Sequence, residues 1–330
     1  MNDMRSRVEW LERYQVALYL IALLVGAGVG LLVPGVAHPA EGAINPVLGP
    51  LLYATFLGVP FAKIGQAFRD WRFLITVLVV NFVLVPVVVF LLSRIVAHDQ
   101  VLLVGVLFVL LTPCVDYVIV FTGVAGGARD RLLAAAPLLM LVQMLLLPVY
   151  LWLFVGNEFV RAVDLAPFVE AFLLLIALPL IAAGLTQFLA VRTRAGKVLQ
   201  EIVLGAMVPL MMLTLAVVVV SQIGGVWQQL ASLLRAIPVF FFFFASMTPV
   251  GAAAGRIARL DVAGRRAIAF SGATRNSLVV LPLVLALPAI FDLAPLVVVT
   301  QTLVELVAMV LFVRLIPRLL PAHASERADS

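Results

Sequence analysis

The residues of this chain that could do chemistry lie in two short polar stretches, each inside a long apolar segment. Leu-Thr-Pro-Cys-Val-Asp-Tyr occupies 111–117 within the segment 101–124, and Ala-Thr-Arg-Asn-Ser occupies 273–277 within 267–288. Proline removes a backbone donor and clashes with the preceding turn, so a helix break is predicted at Pro113, with a matching break at Thr274. Unwound backbone inside an apolar segment has free polar groups that can bind a solute.

Each stretch contributes one side chain with distinctive chemistry. The thiol of Cys114, next to unwound backbone, is a soft ligand that suits a soft metalloid, although a lone cysteine also serves as a small apolar filler. Arg275 would be a fixed positive charge that attracts an anionic or oxygen-rich solute. Further oxygens and amide donors at the same level would come from Thr112, Asn276 and Ser277.

Several further polar groups could serve ion or proton coupling. Asp116 and Arg275 would each cost about 2.5 to 3.5 kcal/mol at the centre of an inserting helix, and an ion pair between them would offset much of that cost. This pair would be functional, with Asp116 titrating, or purely structural. Glu305 lies about one turn beyond Gln301 and is a proton-relay candidate, and Gln143 is a polar residue of the fifth segment. Helix–helix hydrogen bonds are the alternative role for these three side chains.

The composition indicates an integral membrane protein. Of the 330 residues, 64% are hydrophobic and 12% are charged, and the mean hydropathy is +1.19. A soluble core of this length could not enclose so many apolar residues. Ten apolar segments approach or exceed the roughly 20 residues needed to cross a bilayer. They are 16–33, 44–62, 73–93, 101–124, 132–154, 165–190, 198–222, 233–254, 267–288 and 291–316.

Basic residues indicate the side of the membrane on which each loop lies. If all ten segments cross, eighteen of the 22 Lys and Arg residues fall in the two tails, in the loops of one side or, for Arg314, at the end of the last segment next to the tail. Cytoplasmic loops collect Lys and Arg, so both termini are predicted to be cytoplasmic, in a multi-pass protein of the plasma membrane. The net charge of +5 is thus a topology signal. It predicts membrane lipid as the surroundings and no nucleic-acid partner.

Five segments in each half predict two repeats of opposite orientation. Ala-Pro-Leu at 136–138, followed by Gln143, recurs with the same spacing as Ala-Pro-Leu at 294–296, followed by Gln301. The fold class predicted is an all-α polytopic membrane protein of ten transmembrane helices, in which helices four and nine are discontinuous. Its parts are a cytoplasmic amphipathic segment at 1–15, a first five-helix repeat at 16–156, an inverted repeat at 157–316 and a cytoplasmic tail at 317–330.

Other classes of function find little support. A single cysteine excludes an internal disulfide and a zinc site of several thiolates, so no metal site and no cofactor is predicted. The chain has no phosphate-binding loop for ATP-driven pumping. A catalytic nucleophile at Cys114 would need a base, and all three histidines are peripheral. We therefore predict no enzyme, with an intramembrane enzyme or a sensor as a remote alternative.

These motifs resemble those of the bile acid/sodium symporter superfamily, and particularly its arsenite-efflux branch. The resemblance covers nearly the whole chain and is most specific in Pro113-Cys114, in the stretches 143–154 and 273–277, and in Leu-Val-Glu at 303–305. It implies a core domain in which the fourth and ninth helices are unwound and cross. It also implies a panel domain formed by the first, second, sixth and seventh helices, and an essential cysteine at Cys114.

The sequence departs from the family pattern in the ninth helix. The resemblance would place a glutamate just after Asn276, where this chain has Ser277 and Leu278, and an asparagine where it has Arg275. A guanidinium repels a sodium ion, which argues against sodium coupling at that site. We therefore expect a secondary transporter that exports arsenite or a related metalloid oxyacid against protons, coupled through Asp116 or Glu305. The alternative is a transporter of an organic anion held by Arg275.

Overall fold

The computed structural model describes residues 2–59, 68–115, 117–156, 169–170 and 172–321. The described part of the chain is all helical, with 88% of its residues in helices. The described residues include no strand and one isolated antiparallel bridge, between Pro113 and Arg275. Among the described residues, the α-helices of eight or more residues are α1 (Asn2–Leu32), α2 (Ala37–Gly58), α3 (Trp71–Val79), α4 (Val85–Ser93), α5 (Gln100–Leu110), α6 (Tyr117–Val124), α7 (Arg129–Val155), α8 (Leu178–Arg192), α9 (Arg194–Gly205), α10 (Met207–Gln228), α11 (Ile237–Ile257), α12 (Val262–Ala273), α13 (Ser277–Leu285) and α14 (Leu293–Leu319).

Among the described residues, seven helical stretches are long and apolar enough to cross a membrane, which makes this a multi-pass membrane protein. The seven do not include α2 or the two interrupted segments. The pieces of those segments, α5 with α6 and α12 with α13, have 11, 8, 12 and 9 residues, so none of them reaches the length of a span alone. The total of ten crossings stays a prediction.

The seventh predicted segment, 198–222, is wrong at its start. The structure has a separate helix there, α9, and the span begins only at Met207. The hydroxyl of Thr193 caps α9 by accepting from the Gly196 N–H at 3.0 Å. Lys197 and Glu201 lie one turn apart on its exposed side, and this charged face is too polar for the apolar interior of a bilayer.

The helices form two compact units, each assembled from two separate parts of the chain. The first comprises Met1–Gly58 with Asp164–Ala231, and the second comprises Val59–Val163 with Ser232–Ser330. The first unit holds α1, α2, α8, α9 and α10, which include the described helices of the panel that the family resemblance implies. The second holds α3 to α7 and α11 to α14. Each half of the sequence contributes to both units, and the repeat boundaries 16–156 and 157–316 stay a prediction.

In the first unit, α1 packs closely on α10 through small residues. A Cβ added at Gly30 would lie 2.5 Å from the Cγ2 of Ile223 and 2.7 Å from the carbonyl oxygen of Val220. Gly26, one turn earlier, similarly faces Ala216, whose carbonyl oxygen would be 3.0 Å from an added Cβ. Glycines one turn apart let two apolar helices approach until their backbones nearly touch.

In the second unit, polar contacts tie helix ends together at one end of the packed helices. Arg131 of α7 donates to both carboxylate oxygens of Asp261, at 2.7 and 3.1 Å, and lies 3.3 Å from Asp70. These two aspartates are the N-caps of α12 and α3, where they accept from the N–H groups of Gly264 and Phe73. One arginine therefore links the starts of three helices of the unit that contains both interrupted segments.

Candidate functional site

Both apolar segments with polar stretches are broken in the structure, and the breaks lie within the second unit. α5 ends at Leu110 and α6 begins at Tyr117, while the other segment leaves the helix between α12 and α13. Pro113 has no N–H to continue α5, so the first break follows from local sequence. We call residues 111–115 together with 274–276 the crossing.

Backbone hydrogen bonds join the two breaks directly. The N–H of Cys114 donates to the carbonyl oxygen of Thr274 at 3.3 Å, and the N–H of Asn276 donates to the carbonyl oxygen of Thr112 at 2.8 Å. Buried backbone groups must be paired, and each break supplies the groups that the other has lost from its helix. The breaks are therefore one hydrogen-bonded structure rather than two independent kinks.

Side chains at the crossing close the helix ends. The hydroxyls of Thr112 and Thr274 each donate to the carbonyl four residues earlier, at 2.9 and 2.8 Å. The side-chain oxygen of Asn276 accepts from the N–H of Val279 at 3.2 Å and so caps α13. Thr112, Thr274 and Asn276 are fully buried, and these bonds terminate the pieces of helix at the crossing.

The guanidinium of Arg275 is fully buried and binds oxygens from three elements. It donates through Nη1 to the carbonyl of Leu110 at 3.3 Å, and through Nη2 to the carbonyls of Ser271 and Gly272 at 2.7 and 2.8 Å. Nη2 also donates to the side-chain oxygen of Asn81 at 2.9 Å. The three carbonyls are at the C-terminal ends of α5 and α12, where helix dipoles favour a positive charge. The hydrogen bonds recorded for the guanidinium are thus to neutral oxygens of the protein.

Glu305 of α14 also binds Arg275, through the main-chain N–H and not through the guanidinium. Its two carboxylate oxygens accept from the Arg275 N–H at 3.1 and 3.0 Å, and the side-chain amide of Gln301 donates to one of them. The Tyr117 hydroxyl lies 2.7 Å from Glu305 and 2.9 Å from the carbonyl oxygen of Arg275. Because a phenol has one proton, it can donate to one of these acceptors at a time.

The structure also describes four further residues that the sequence predicted for the site: Cys114, Ser277, Gln301 and Gln143. Cys114 is fully buried at the crossing. Ser277 begins α13 and is buried, and its hydroxyl has no hydrogen-bond partner among the described residues; the same is true of the side-chain oxygen of Gln301. Gln143 is buried in α7, and none of the hydrogen bonds recorded for the described residues joins it to the crossing.

Asp116 lies outside the described residues, so the predicted pair of Asp116 with Arg275 stays a prediction. The described residues also contain no group of three or more His, Cys, Asp or Glu side chains that could hold a metal ion. Because Cys114 is the one cysteine of the chain, thiol chemistry at the crossing would involve a single sulfur.

Three side chains of the site were not assigned to it from the sequence. Tyr117 is the last residue of the first polar stretch, and Asn81 is a polar residue within the apolar stretch Trp71–Val96. Both positions could therefore have been recognised in the sequence. The ring of Phe243 lies 5.3 Å from the Cζ of Arg275 and adds a cation–π contact. Phe243 is one of five consecutive phenylalanines, and nothing in the sequence distinguishes it from its neighbours.

Comparison with known proteins adds one finding. The profile of the Sodium Bile acid symporter family matches residues 45–229, which is more than half of the chain and includes the first break. None of the curated proteins matches the sequence.

Proposed function

The chain belongs to the sodium bile acid symporter family, and from this premise we propose that it exports arsenite or a related metalloid oxyacid in exchange for protons. Members of the family are transporters and not enzymes, and they move small molecules with ion coupling. The proposal adds the substrate, the direction and the ion. It also places the protein in the plasma membrane with both termini in the cytoplasm, as the distribution of basic residues predicts.

The observation that carries the proposal is the position of Cys114. It is the one cysteine of the chain, and it is fully buried within the first break, where its N–H is bonded to the second. A thiol sulfur can replace one hydroxyl of a trihydroxy metalloid acid, with release of water, and hydrolysis of this single sulfur–metalloid bond restores the thiol and the acid. A change in the crossing that exposes this sulfur would therefore also disturb both interrupted segments, as a transport cycle requires.

Unpaired oxygens support a substrate that donates hydrogen bonds. The hydroxyl of Ser277 and the side-chain oxygen of Gln301 are buried without a partner among the described residues. Leaving such groups unpaired costs about 1 to 3 kcal/mol each. A trihydroxy metalloid acid carries hydroxyl donors that could satisfy acceptors of this kind, so its binding would recover part of that cost.

Glu305 supports protons as the coupling ion. Its carboxyl group is fully buried, and its recorded hydrogen bonds come from a backbone N–H, an amide and a phenol. None of these groups has a full positive charge. A buried carboxyl in such surroundings can accommodate either a proton or a negative charge, depending on how the neighbouring donors orient.

Arg275 does not support the alternative of organic-anion transport. Its Nη atoms donate to four protein oxygens, and the side chain is fully buried. A carboxylate or sulfonate would have to displace the ends of α5 and α12 to reach the Nη atoms, and only the buried Nε–H is without a hydrogen-bond partner among the described residues. We therefore propose no second function.

The test measures arsenic in arsenic-sensitive bacteria that produce the wild type, Cys114→Ser or Ala273→Ser. We expect the wild type to lower cell-associated arsenic and to protect growth, and Cys114→Ser to do neither. Ala273→Ser is the matched control because it places the same hydroxyl at a buried neighbour of the second break, and it should retain export. The amount of each variant in the membrane is measured alongside.

Full protection by Cys114→Ser would remove the thiol from the mechanism. Absence of protection by the wild type, at normal levels in the membrane, would remove metalloids as the substrate. The coupling ion is tested separately in everted membrane vesicles, where arsenite uptake should follow an imposed proton gradient. Uptake that follows a sodium gradient and ignores the proton gradient contradicts proton exchange.

A further inference from the structure

The surroundings of the Arg275 guanidinium have the composition of a site for a monovalent cation. Its four hydrogen-bonded oxygens are three main-chain carbonyls and one side-chain amide oxygen. Carbonyl oxygens that converge from helix ends are the ligands with which membrane proteins replace the water shell of sodium or potassium ions. In this chain the positive charge among these oxygens is the guanidinium of Arg275, which is covalently attached to the protein.

The charged and dipolar groups around the guanidinium of Arg275 also suit a monovalent cation. Among the carboxylates that the structure describes, none is recorded within ion-pair distance of the guanidinium, and Glu305 binds the main-chain N–H of Arg275 instead. Among the described residues, the groups that face the guanidinium are two helix C-termini, the Asn81 oxygen and the ring face of Phe243. These dipolar groups suit one positive charge, whether it is tethered or free.

We propose that Arg275 is a tethered cation, which occupies at the crossing the position that a dissociable alkali cation would otherwise need to fill. Two consequences follow from this assignment. The wild-type protein needs no sodium ion at this position to hold the ends of α5 and α12 together. Removal of the Arg275 side chain leaves an enclosed cavity lined by oxygens, and this cavity attracts sodium or potassium ions from solution.

This inference goes beyond the proposed function, since it concerns the ion requirement of the crossing and makes no use of the metalloid, the thiol or the direction of transport. It would hold for any substrate. Its test therefore uses purified protein without a substrate, so that its failure and the failure of the proposed function can be told apart.

The test is thermal unfolding of detergent-purified protein in sodium, potassium or choline chloride at the same ionic strength. The wild type should melt at the same temperature in all three salts. Arg275→Gly should melt at a lower temperature in choline chloride and regain at least about 3 °C as sodium or potassium chloride increases, because a ligand that binds the folded state alone stabilises it. This gain should saturate with salt concentration.

Arg266→Gly is the matched control. Arg266 also binds main-chain carbonyls, those of Leu320, Ala125 and Gly126, but its side chain is only partly buried. Its removal opens a gap to solvent rather than an enclosed cavity. Arg266→Gly should therefore melt at a lower temperature than the wild type without any specific gain from an alkali cation.

The proposal is overturned if sodium and potassium raise the melting temperature of Arg275→Gly no more than they raise that of the wild type. Since removal of a buried arginine can prevent folding, Arg275→Lys is measured as well. The lysine ammonium keeps the tethered charge, so melting of this variant should remain independent of the cation. A specific requirement of Arg275→Lys for sodium would also contradict the proposal.

Discussion

The N–H of Asn276 donates a 2.8 Å hydrogen bond to the carbonyl oxygen of Thr112, across the two breaks of the second unit. Together with the bond from Cys114 to Thr274, it pairs backbone groups that the two interrupted segments have lost from their own helices. A displacement of one break must stretch or exchange bonds of the second, so a solute held there and the two helices would move in a concerted way.

Tyr117→Phe should weaken the protein and change how transport depends on pH. The variant loses the hydroxyl that reaches both Glu305 and the Arg275 carbonyl, and we expect the free energy of unfolding to fall by about 1 to 2 kcal/mol. Tyr150→Phe is the control, since its hydroxyl donates to the Phe82 carbonyl at 2.6 Å and not to Glu305. Equilibrium unfolding in detergent and vesicle uptake at several pH values measure both effects. A pH profile altered equally by Tyr150→Phe would contradict the assignment.

Glu305→Gln should separate proton coupling from substrate binding. Glutamine has the size of glutamate and can still accept from the Arg275 N–H, but it does not take up a proton. We expect proton-driven uptake into everted vesicles to fall at least about tenfold, because the proposed coupling group is gone. Exchange of labelled substrate at equal pH on both sides should continue. Glu201→Gln, on the exposed side of α9, should leave both activities unchanged.

Asn81→Leu should destabilise the second unit. Asn81 donates to the Val77 carbonyl and to the Ser271 hydroxyl, each at 2.9 Å, and accepts from Arg275. Leucine has a similar volume without these groups, so buried partners lose their bonds at a cost of about 1 to 3 kcal/mol. Thermal unfolding compares it with Asn45→Leu, which replaces an exposed asparagine of α2. Equal melting temperatures for the two variants would show that Asn81 does not hold the guanidinium.

Asp261→Ala should loosen the joined helix ends of the second unit. The change removes an N-cap and one carboxylate partner of Arg131. We expect a loss of about 1 kcal/mol in the free energy of unfolding, a modest value because both side chains are about 40% exposed. Asp130→Ala is the control, since its side chain is 93% exposed and lies 3.9 Å from Arg129. Chemical unfolding in detergent distinguishes the two variants. An equal effect of both would argue against a stabilising role of the contact between Asp261 and Arg131.

Gly30→Ala should lower stability, whereas Gly28→Ala should not. An added Cβ at Gly30 would meet Ile223 and the Val220 carbonyl at 2.5 and 2.7 Å, whereas at Gly28 it would meet nothing within 4 Å. Alanine favours a helix over glycine by up to about 1 kcal/mol, so Gly28→Ala should be neutral or slightly stabilising. Heating followed by size-exclusion chromatography measures the remaining folded protein. A melting temperature for Gly30→Ala as high as that of Gly28→Ala would mean that α1 and α10 are farther apart.

The sequence alone determined where the apolar segments are interrupted and which residue types lie there. A proline at 113, the sole cysteine at 114 and an arginine at 275 stand out in apolar surroundings because each is costly or unusual there. The membrane class and the family resemblance follow from the same linear patterns. The start of the seventh span could not be predicted from these patterns, because only one residue separates the amphipathic helix α9 from the apolar helix that follows it.

The tertiary structure decided which groups these residues bind. The guanidinium of Arg275 binds the carbonyls of Leu110, Ser271 and Gly272 and the side chain of Asn81, and none of these partners was predicted from the sequence. Glu305 likewise accepts from a main-chain N–H. Every residue has a main-chain carbonyl and every residue except proline has a main-chain N–H, so a sequence does not show which of these groups will bind a side chain. Only the crossing of broken helices frees them from their own helix and turns them toward a particular side chain.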